Sequence, residues 1–311
     1  MQVWRSHDDV PTDRGPSLVT VGNFDGVHLG HRSVVAQARD LAHRAGQQVV
    51  AVTFDPHPMA VLRPDHAPSV LTTIEARTAL LGDAGVDAVL VLPFSREMAA
   101  WSPLEFVDRV LVGALHAAAV VVGANFRFGA RAAGDVALLR GVGEGRGFTV
   151  VGLELDGGPQ VWSSTYVRTC LVEGDVAGAA EALGRPFAVR GRVVEGDRRG
   201  RDLGYPTANV PLPAGTAAPA DGVYAGWLLR PRTGDRWPAA ISVGTNPTFA
   251  GERERRVEAY ALDRDDLELY GDEVEVAFVE RLRGMAAFDD VEALLETMAD
   301  DVRRTRAVLG A

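Results

Sequence analysis

The sequence has no lysine: its 311 residues include 32 basic side chains, and every one of them is arginine. A chain without lysine cannot form a lysine Schiff base, a lysyl-adenylate or a Walker A loop, which ends in Gly-Lys-Ser/Thr. Any phosphate chemistry must therefore rely on arginine, histidine, backbone N–H groups and a metal ion.

Cysteine is almost as scarce, since Cys170 is the only one. A single thiol excludes an internal disulfide and a cysteine-based zinc site, and it favours a reducing cytoplasm. The first residues, 1–17, contain no apolar segment of a secretory signal, and no apolar run approaches the roughly 18 residues of a membrane span. We therefore expect a cytoplasmic protein without a membrane partner.

Positive charge is also in deficit, because 42 acidic residues outnumber the arginines and give a formal net charge of −10. Such a surface repels nucleic acid and anionic membranes, although a local arginine cluster can still bind a small phosphate compound. Hydrophobic residues make up 47% of the chain, which is ordinary for a packed globular protein, and its length suits two domains. The sequence leaves an oligomer possible.

From residue 17 to about 155, short β-branched runs alternate with helical patterns. The runs are SLVTVG, QQVVAVTF, VDAVLVLPF, AAVVVGANF and FTVVGLEL. This alternation predicts an α/β domain with a parallel sheet covered by helices. Two further helical stretches, 164–173 and 175–183, precede a Gly-Arg-Pro break, so we predict domains at 1–185 and 186–311.

After residue 187 the pattern changes to extended runs divided by Gly, Pro and Asp. The runs are FAVRGRVV, TANVPL, GVYAGWLL, WPAAISVG, RVEAYAL and EVEVAFVERL. They predict an antiparallel β-barrel or sandwich. Apolar residues then recur at helical spacing from Val291 to Val302, which predicts an amphipathic terminal helix packed on the β domain.

The first chemical motif, GNFDGVHLGH at 22–31, follows the first predicted strand and enters a helix. Glycines allow close backbone approach, and a helix start offers N–H groups to an anion. The HxGH pair, His28 and His31, adds two imidazoles that can donate to a triphosphate. The plain alternative is a glycine-rich turn whose histidines cap the helix.

Three other loops decide between these alternatives: TFDPHP at 53–58, GANFRFG at 123–129 and SSTYVR at 163–168. In this order and spacing, the four motifs resemble the FMN adenylyltransferase module of bifunctional bacterial riboflavin kinase/FAD synthetases, and the resemblance covers nearly the whole chain. It implies a Rossmann-like nucleotidyltransferase in which an FMN phosphate oxygen attacks the α-phosphorus of ATP. Because pyrophosphate leaves directly, the enzyme supplies alignment and charge neutralisation rather than a nucleophile.

The resemblance also implies roles for individual residues. His28 and His31 would hold the ATP phosphates, with Gly22 and Phe24 in the same ATP-binding loop. Other residues would contact the ligands from outside that loop: Ser164, Thr165 and Arg168 would contact ATP, and His57 and Asn125 would contact the nucleotide or the flavin.

The second motif, RRGRDLGYPTAN at 198–209, places the Thr207 hydroxyl and the Asn209 amide two residues apart on one side of an extended segment. Both are oxygen ligands of the kind that Mg²⁺ prefers. The arginine cluster that includes Arg201 could close over ATP phosphates. The plain alternative is a hairpin with solvated arginines.

With GVYAG at 222–226 and NPTF at 246–249, this motif resembles the riboflavin kinase barrel of the same family. The resemblance implies that Thr207 and Asn209 coordinate Mg-ATP and that Glu258 is the base toward the riboflavin 5′-hydroxyl. It also implies that Phe288 and the arginines at 281 and 283 close over the flavin.

The sequence thus predicts an enzyme that phosphorylates riboflavin to FMN and adenylylates FMN to FAD, with Mg²⁺ as cofactor, ATP as co-substrate, and riboflavin, FMN and FAD as ligands. In an alternative reading, the barrel is a non-catalytic flavin-binding regulatory module. A third is a flavin-dependent oxidoreductase, which would keep a bound yellow flavin through purification.

Overall fold

The computed structural model describes residues 1–154, 162–196, 203–245 and 255–311. Its internal contacts divide the chain into two compact units, Met1–Ser163 and Ser164–Ala311. Each unit has its own sheet.

The first unit contains a six-stranded, wholly parallel sheet in the order β1-β4-β3-β2-β5-β6. Its strands are β1 Gln2–Trp4, β2 Ser17–Val21, β3 Gln48–Asp55, β4 Ala88–Pro93, β5 Ala117–Gly123 and β6 Thr149–Leu153. Buried clusters lie on both faces, as a parallel sheet between helices requires. The predicted α/β domain is confirmed; the short edge strand β1 is an addition, because three residues are too few to show a pattern.

Helices connect these strands. They are α1 Leu29–Ala45, α2 Pro58–Leu62, α3 Ile74–Asp83, α4 Arg96–Ala99, α5 Pro103–Phe106 and α6 Val136–Arg146, and a π-helical segment, Val107–Ala114, continues α5. The long α1 begins at a His28 N-cap and ends at Gly46, whose φ of +63° is a left-handed helix stop.

The strand order fixes where a ligand can bind. From β2 the chain turns to β3 on one side and later returns to β5 on the other, so β2 and β5 form the topological switch point. Open parallel sheets bind ligands beyond the carboxyl ends of the strands at such a point. The loops after β2, β3 and β5 therefore share one edge of the sheet.

The second unit starts with two helices, α7 Ser164–Glu173 and α8 Val176–Leu183, followed by an antiparallel sheet in the order β7-β12-β9-β10-β11-β8. The strands are β7 Phe187–Arg192, β8 Ala208–Pro211, β9 Gly222–Arg230, β10 Asp235–Thr245, β11 Arg255–Ala261 and β12 Glu273–Arg283. A bridge between Val194 and Asn209 brings the chain after β7 onto β8. The predicted barrel is confirmed as a nearly closed one.

The terminal helix α9, Val291–Leu309, packs on strands of this barrel, as its apolar spacing predicts. The packed face differs in detail from the pattern. Val291 is 57% exposed, whereas the buried side chains of α9 are Asp301 and Thr305. A polar residue is buried here because Asp301 pairs with a barrel arginine, which apolar periodicity does not detect.

The compact units divide at Ser163–Ser164, so α7 and α8 lie with the barrel. Helix α8 packs on β7 and β12, and the Ala220 N–H donates to the Leu171 carbonyl of α7 at 2.8 Å. Our boundary at 185/186 stays a prediction about where the two activities divide.

Candidate active sites

The β2–α1 loop brings the two motif histidines together at the first turn of α1. The imidazoles of His28 and His31 stack with ring centroids 3.6 Å apart. His28 caps the helix, because its Nδ1 accepts the His31 N–H at 3.4 Å. An accepting Nδ1 places the proton of the neutral tautomer of His28 on Nε2.

His31 is held uncharged. Burial lowers its pKa well below 6.5, and the positive charges of His28 and Arg77 lower it further. Its Nδ1 is buried and has no hydrogen-bond partner among the described residues. A polyanion at this helix start would supply a partner and would favour the charged form of both rings.

Little space is left beside the glycine between the two histidines. A Cβ on Gly30 would lie 3.1 Å from His28 Nδ1 and 3.3 Å from the Trp162 carbonyl oxygen. In the same loop the ring of Phe24 is buried, lies against Gly22, and meets His31 edge-on at 5.2 Å. The structure therefore brings Gly22, Phe24 and both histidines into one site.

The β3 loop reaches the same place. His57 caps α2 by accepting the Met59 N–H at Nδ1, 3.1 Å away, and its Nε2 lies 3.4 Å from Asn23 Nδ2 of the β2–α1 loop. Asn125 follows β5 at the switch point and is exposed. Both residues thus lie at the edge of the sheet where the sequence predicts ligand contact.

The remaining residues predicted for this site open α7 in the second unit. Ser164 is its first residue, Thr165 is exposed, and Arg168 is half-buried one turn later. Their assignment to ATP stays a prediction.

Sequence reasoning missed a buried ion pair behind the histidine loop. Arg77 Nη2 lies 3.4 Å from Asp25 Oδ1, and the two side chains are 4% and 1% exposed. The position of Asp25 inside the glycine-rich motif was an available signal. Arg77 gave none, because an arginine within a helical pattern is expected on the surface.

In the second unit a cavity of about 380 Å³ is lined by residues of the barrel, of the segment after β12 and of α9. Across three neighbouring strands, Asn209 pairs with Glu258 and Glu258 pairs with Ser242. Directly paired residues point to the same side of an antiparallel sheet, so these three polar side chains form one row on the cavity wall. Burial alternates along β11, which confirms that Glu258 faces away from the buried positions 257 and 259.

The predicted metal ligands are adjacent. Asn209, 7% exposed, donates from Nδ2 to the backbone carbonyl and the Oγ1 of Thr207, each at 3.3 Å. This orientation leaves Asn209 Oδ1 as an acceptor. A Cβ on Gly196 would lie 2.6 Å from Asn209 Nδ2 and 2.7 Å from its Oδ1, so only glycine leaves space beside the amide.

The two arginines predicted to contact flavin at the end of β12, Arg281 and Arg283, have different surroundings. Arg283 lines the cavity, makes a two-pronged pair with Asp301 of α9 at 2.7–3.1 Å, and lies 5.8 Å from the ring of Phe288, which also lines it. Arg281, predicted to contact flavin, is not among the lining residues. It donates instead to the carbonyls of Glu173 and Asp221 at 3.3 and 3.0 Å.

Several predicted residues lie outside the described part of the chain. They are Arg201 with its neighbours Arg198 and Arg199, and the NPTF segment; the acidic residues Glu252 and Glu254, which precede Glu258 in the sequence, lie there too.

Two family models match different parts of the chain. The FAD synthetase family model matches residues 10–165, and the riboflavin kinase family model matches 183–309. The bifunctional riboflavin kinase/FMN adenylyltransferase of Pseudomonas fluorescens is 38% identical over 99% of this chain and 98% of its own length. The protein of the same description from Escherichia coli K12 is 36% identical over 94% and 93%.

A solved structure from Streptococcus pneumoniae, described as a macrolide-efflux protein, has a TM-score of 0.86 at 31% identity and covers 98% of both chains. Within the part of this chain that the structure describes, no helix is long and apolar enough to cross a membrane. With both family models and the full-length relatives in agreement, the chain belongs to the family of bifunctional riboflavin kinases/FMN adenylyltransferases.

Proposed function

We propose that this member of the family divides its two reactions between its two sheets: the loops of the parallel sheet bind ATP and FMN for adenylylation, and the barrel cavity binds riboflavin and ATP for phosphorylation. The observation that supports this proposal is that motif residues lie together at two places, the edge of the parallel sheet and the wall of the barrel cavity. His28 and His31 stack at the switch point, and Asn209, Glu258 and Ser242 form one row in the cavity.

In adenylylation, the N–H groups at the start of α1 and the imidazoles of His28 and His31 neutralise the ATP phosphates while an FMN phosphate oxygen displaces pyrophosphate. The lowered pKa of His31 keeps that ring uncharged before ATP binds and so avoids a buried charge. His57 and Asn125 would contact the nucleotide or flavin, and Ser164, Thr165 and Arg168 would supply further ATP contacts.

In phosphorylation, Glu258 orients the riboflavin 5′-hydroxyl and accepts its proton. Thr207 and Asn209 would hold Mg²⁺, and their oxygen atoms fit it. The ion, when bound, neutralises charge on the ATP phosphates. Phe288 and Arg283 line the cavity where the flavin would lie.

The test is incubation of the pure protein with riboflavin and Mg-ATP, followed by chromatographic separation of FMN and FAD. We expect both products, and neither after chelation of Mg²⁺. FAD formed only from supplied FMN would favour a non-catalytic barrel, and a tightly bound flavin that turns over electrons would favour an oxidoreductase. Because ATP is a substrate and Cys170 is a free, buried thiol, we place the enzyme in the cytoplasm.

A further inference from the structure

The loop that presents His28 and His31 has an unfavourable backbone. Phe24 and Val27 have φ values of +48° and +42°, in the left-handed region that residues with a Cβ rarely adopt, β-branched ones least of all. Such conformations persist only where surrounding structure fixes them. Contacts from outside the loop must therefore hold it.

Asp25, between these two residues, makes those contacts. Its carboxylate accepts the backbone N–H of Leu71 at 3.0 Å, and the N–H and hydroxyl of Thr72 at 3.0 and 3.1 Å. The Gly26 N–H donates to the Thr72 hydroxyl at 3.1 Å. The segment before α3 is thereby fastened to the loop through one carboxylate and one hydroxyl.

Arg77 of α3 completes the arrangement. Besides meeting Asp25, its guanidinium donates to Thr53 Oγ1 at 3.3 Å and to the Phe54 carbonyl at 3.2 Å, both near the end of β3. Thr53 Oγ1 in turn donates to the Asn23 carbonyl at 2.9 Å. One ion pair thus joins α3, the end of β3 and the histidine loop.

We propose that the buried Asp25–Arg77 pair is a positioning element of the adenylyltransferase site, which holds the β2–α1 loop in the conformation where His28 and His31 meet the ATP phosphates. Neither side chain is exposed enough to touch a substrate. Removing one partner of a buried ion pair leaves the other charge unpaired and destabilises the fold, so activity has to be measured beside the thermal unfolding midpoint. The proposal rests on the assignment of ATP to the two histidines.

The experiment compares four variants of the full chain: Asp25→Asn, Thr72→Val, His28→Ala and the control Glu75→Gln. Glu75 also loses a carboxylate, on the same helix as Arg77, but its pair with Arg5 at 3.4 Å is exposed. For each variant, kcat and KM for ATP in FMN adenylylation, the Kd for FMN and the thermal unfolding midpoint are measured. Riboflavin phosphorylation is followed in the same samples.

We expect Asp25→Asn to lower kcat/KM for ATP by roughly 30-fold or more, with kcat itself reduced, because small displacements of aligned groups have effects of this order. Thr72→Val should lower kcat/KM for ATP roughly 5-fold, because it disturbs the same alignment. The control Glu75→Gln should keep kcat and KM for ATP within about twofold of the wild-type values. FMN binding and riboflavin phosphorylation should also stay within about twofold in the variants, since they do not use the loop.

A folded Asp25→Asn protein whose kcat and KM for ATP stay within about threefold of the wild-type values overturns the proposal. So does an activity loss that disappears when the assay is run well below the unfolding midpoint, since that marks a purely structural role. If Asp25→Asn does not fold, an unchanged Thr72→Val protein overturns it instead. FAD synthesis that survives His28→Ala would refute the ATP assignment itself, which is a separate outcome.

Discussion

At the scale of single residues, His31 of the proposed adenylyltransferase site has a strongly perturbed pKa. Its folded-state pKa lies well below 6.5, chiefly because burial removes water from the charged ring. In the unfolded chain, His31 has an ordinary histidine pKa of about 6.5. Below that pH the unfolded state therefore binds a proton that the folded state does not. The free energy of unfolding consequently decreases as the pH is lowered.

We predict that the free energy of unfolding of His31→Gln decreases less steeply on acidification than that of the wild type. The difference in slope is at most about 1.4 kcal/mol per pH unit below about pH 6.5. Above that pH the two proteins should show the same pH dependence. Urea unfolding of both at pH 7.5 and pH 5.5 measures the difference. An equal loss of stability in both proteins would show that His31 titrates normally.

Glu258 is the base that we propose for the kinase reaction. Glu258→Gln keeps the shape of the side chain in the row between Asn209 and Ser242 but removes its accepting charge. We expect kcat for FMN formation to fall at least about 100-fold, or roughly 2.7 kcal/mol. FMN adenylylation serves as the internal control and should not change; near-normal kinase turnover would direct attention to Glu252 and Glu254.

Cys170 is a structural residue of α7. Cys170 is 3% exposed, and burial raises the pKa of its thiol, while its hydrogen bond with Tyr166 raises the pKa of that phenol to about 12. Both groups therefore stay protonated near neutral pH. We predict that Cys170→Ser leaves each activity within about threefold, which corresponds to well under 1 kcal/mol. A selective loss of FAD synthesis in the folded variant would assign the thiol a function.

At the scale of elements, α7 and α8 decide how much chain the kinase unit needs. Val176 and Leu183 of α8 are each only 1% exposed, and α8 packs on β7 and β12. A fully buried Val or Leu side chain contributes about 1.5–3 kcal/mol. The two helices therefore stabilise the barrel, although none of the lining residues of its cavity belongs to them.

We predict that fragments 187–311 and 164–311 both phosphorylate riboflavin, and that the longer one unfolds at a higher temperature. Thermal unfolding followed by circular dichroism, with FMN formation measured below the lower midpoint, compares them. A folded 187–311 fragment that binds riboflavin and Mg-ATP without turnover would show that the preceding chain completes the kinase site.

At the scale of the whole molecule, the two sets of site residues share no side chain, so substitutions in them should act independently. We predict that His28→Ala abolishes FAD formation while FMN accumulates from riboflavin. Asn209→Ala should abolish FMN formation while supplied FMN is still converted to FAD. Chromatography of the products decides; loss of both reactions in either folded variant would contradict the two-site division.

The sequence by itself determined most of the architecture. β-branched runs at regular spacing predict strands β2 to β6, because a strand buried on both faces must be continuously apolar. Shorter runs divided by turn residues predict all six barrel strands. The motif residues could be named from sequence too, since glycine, histidine and amide side chains at fixed spacing each have a distinct chemistry.

What only the tertiary structure decided is which residues from distant segments meet. Asp25 and Arg77 are 52 positions apart, and Arg283 and Asp301 are joined only because α9 folds back on the barrel. Local patterns report the periodicity of one element, whereas a buried ion pair depends on how elements pack. For the same reason the structure separates Arg281 from Arg283: the strand is irregular between these positions, and their surroundings differ.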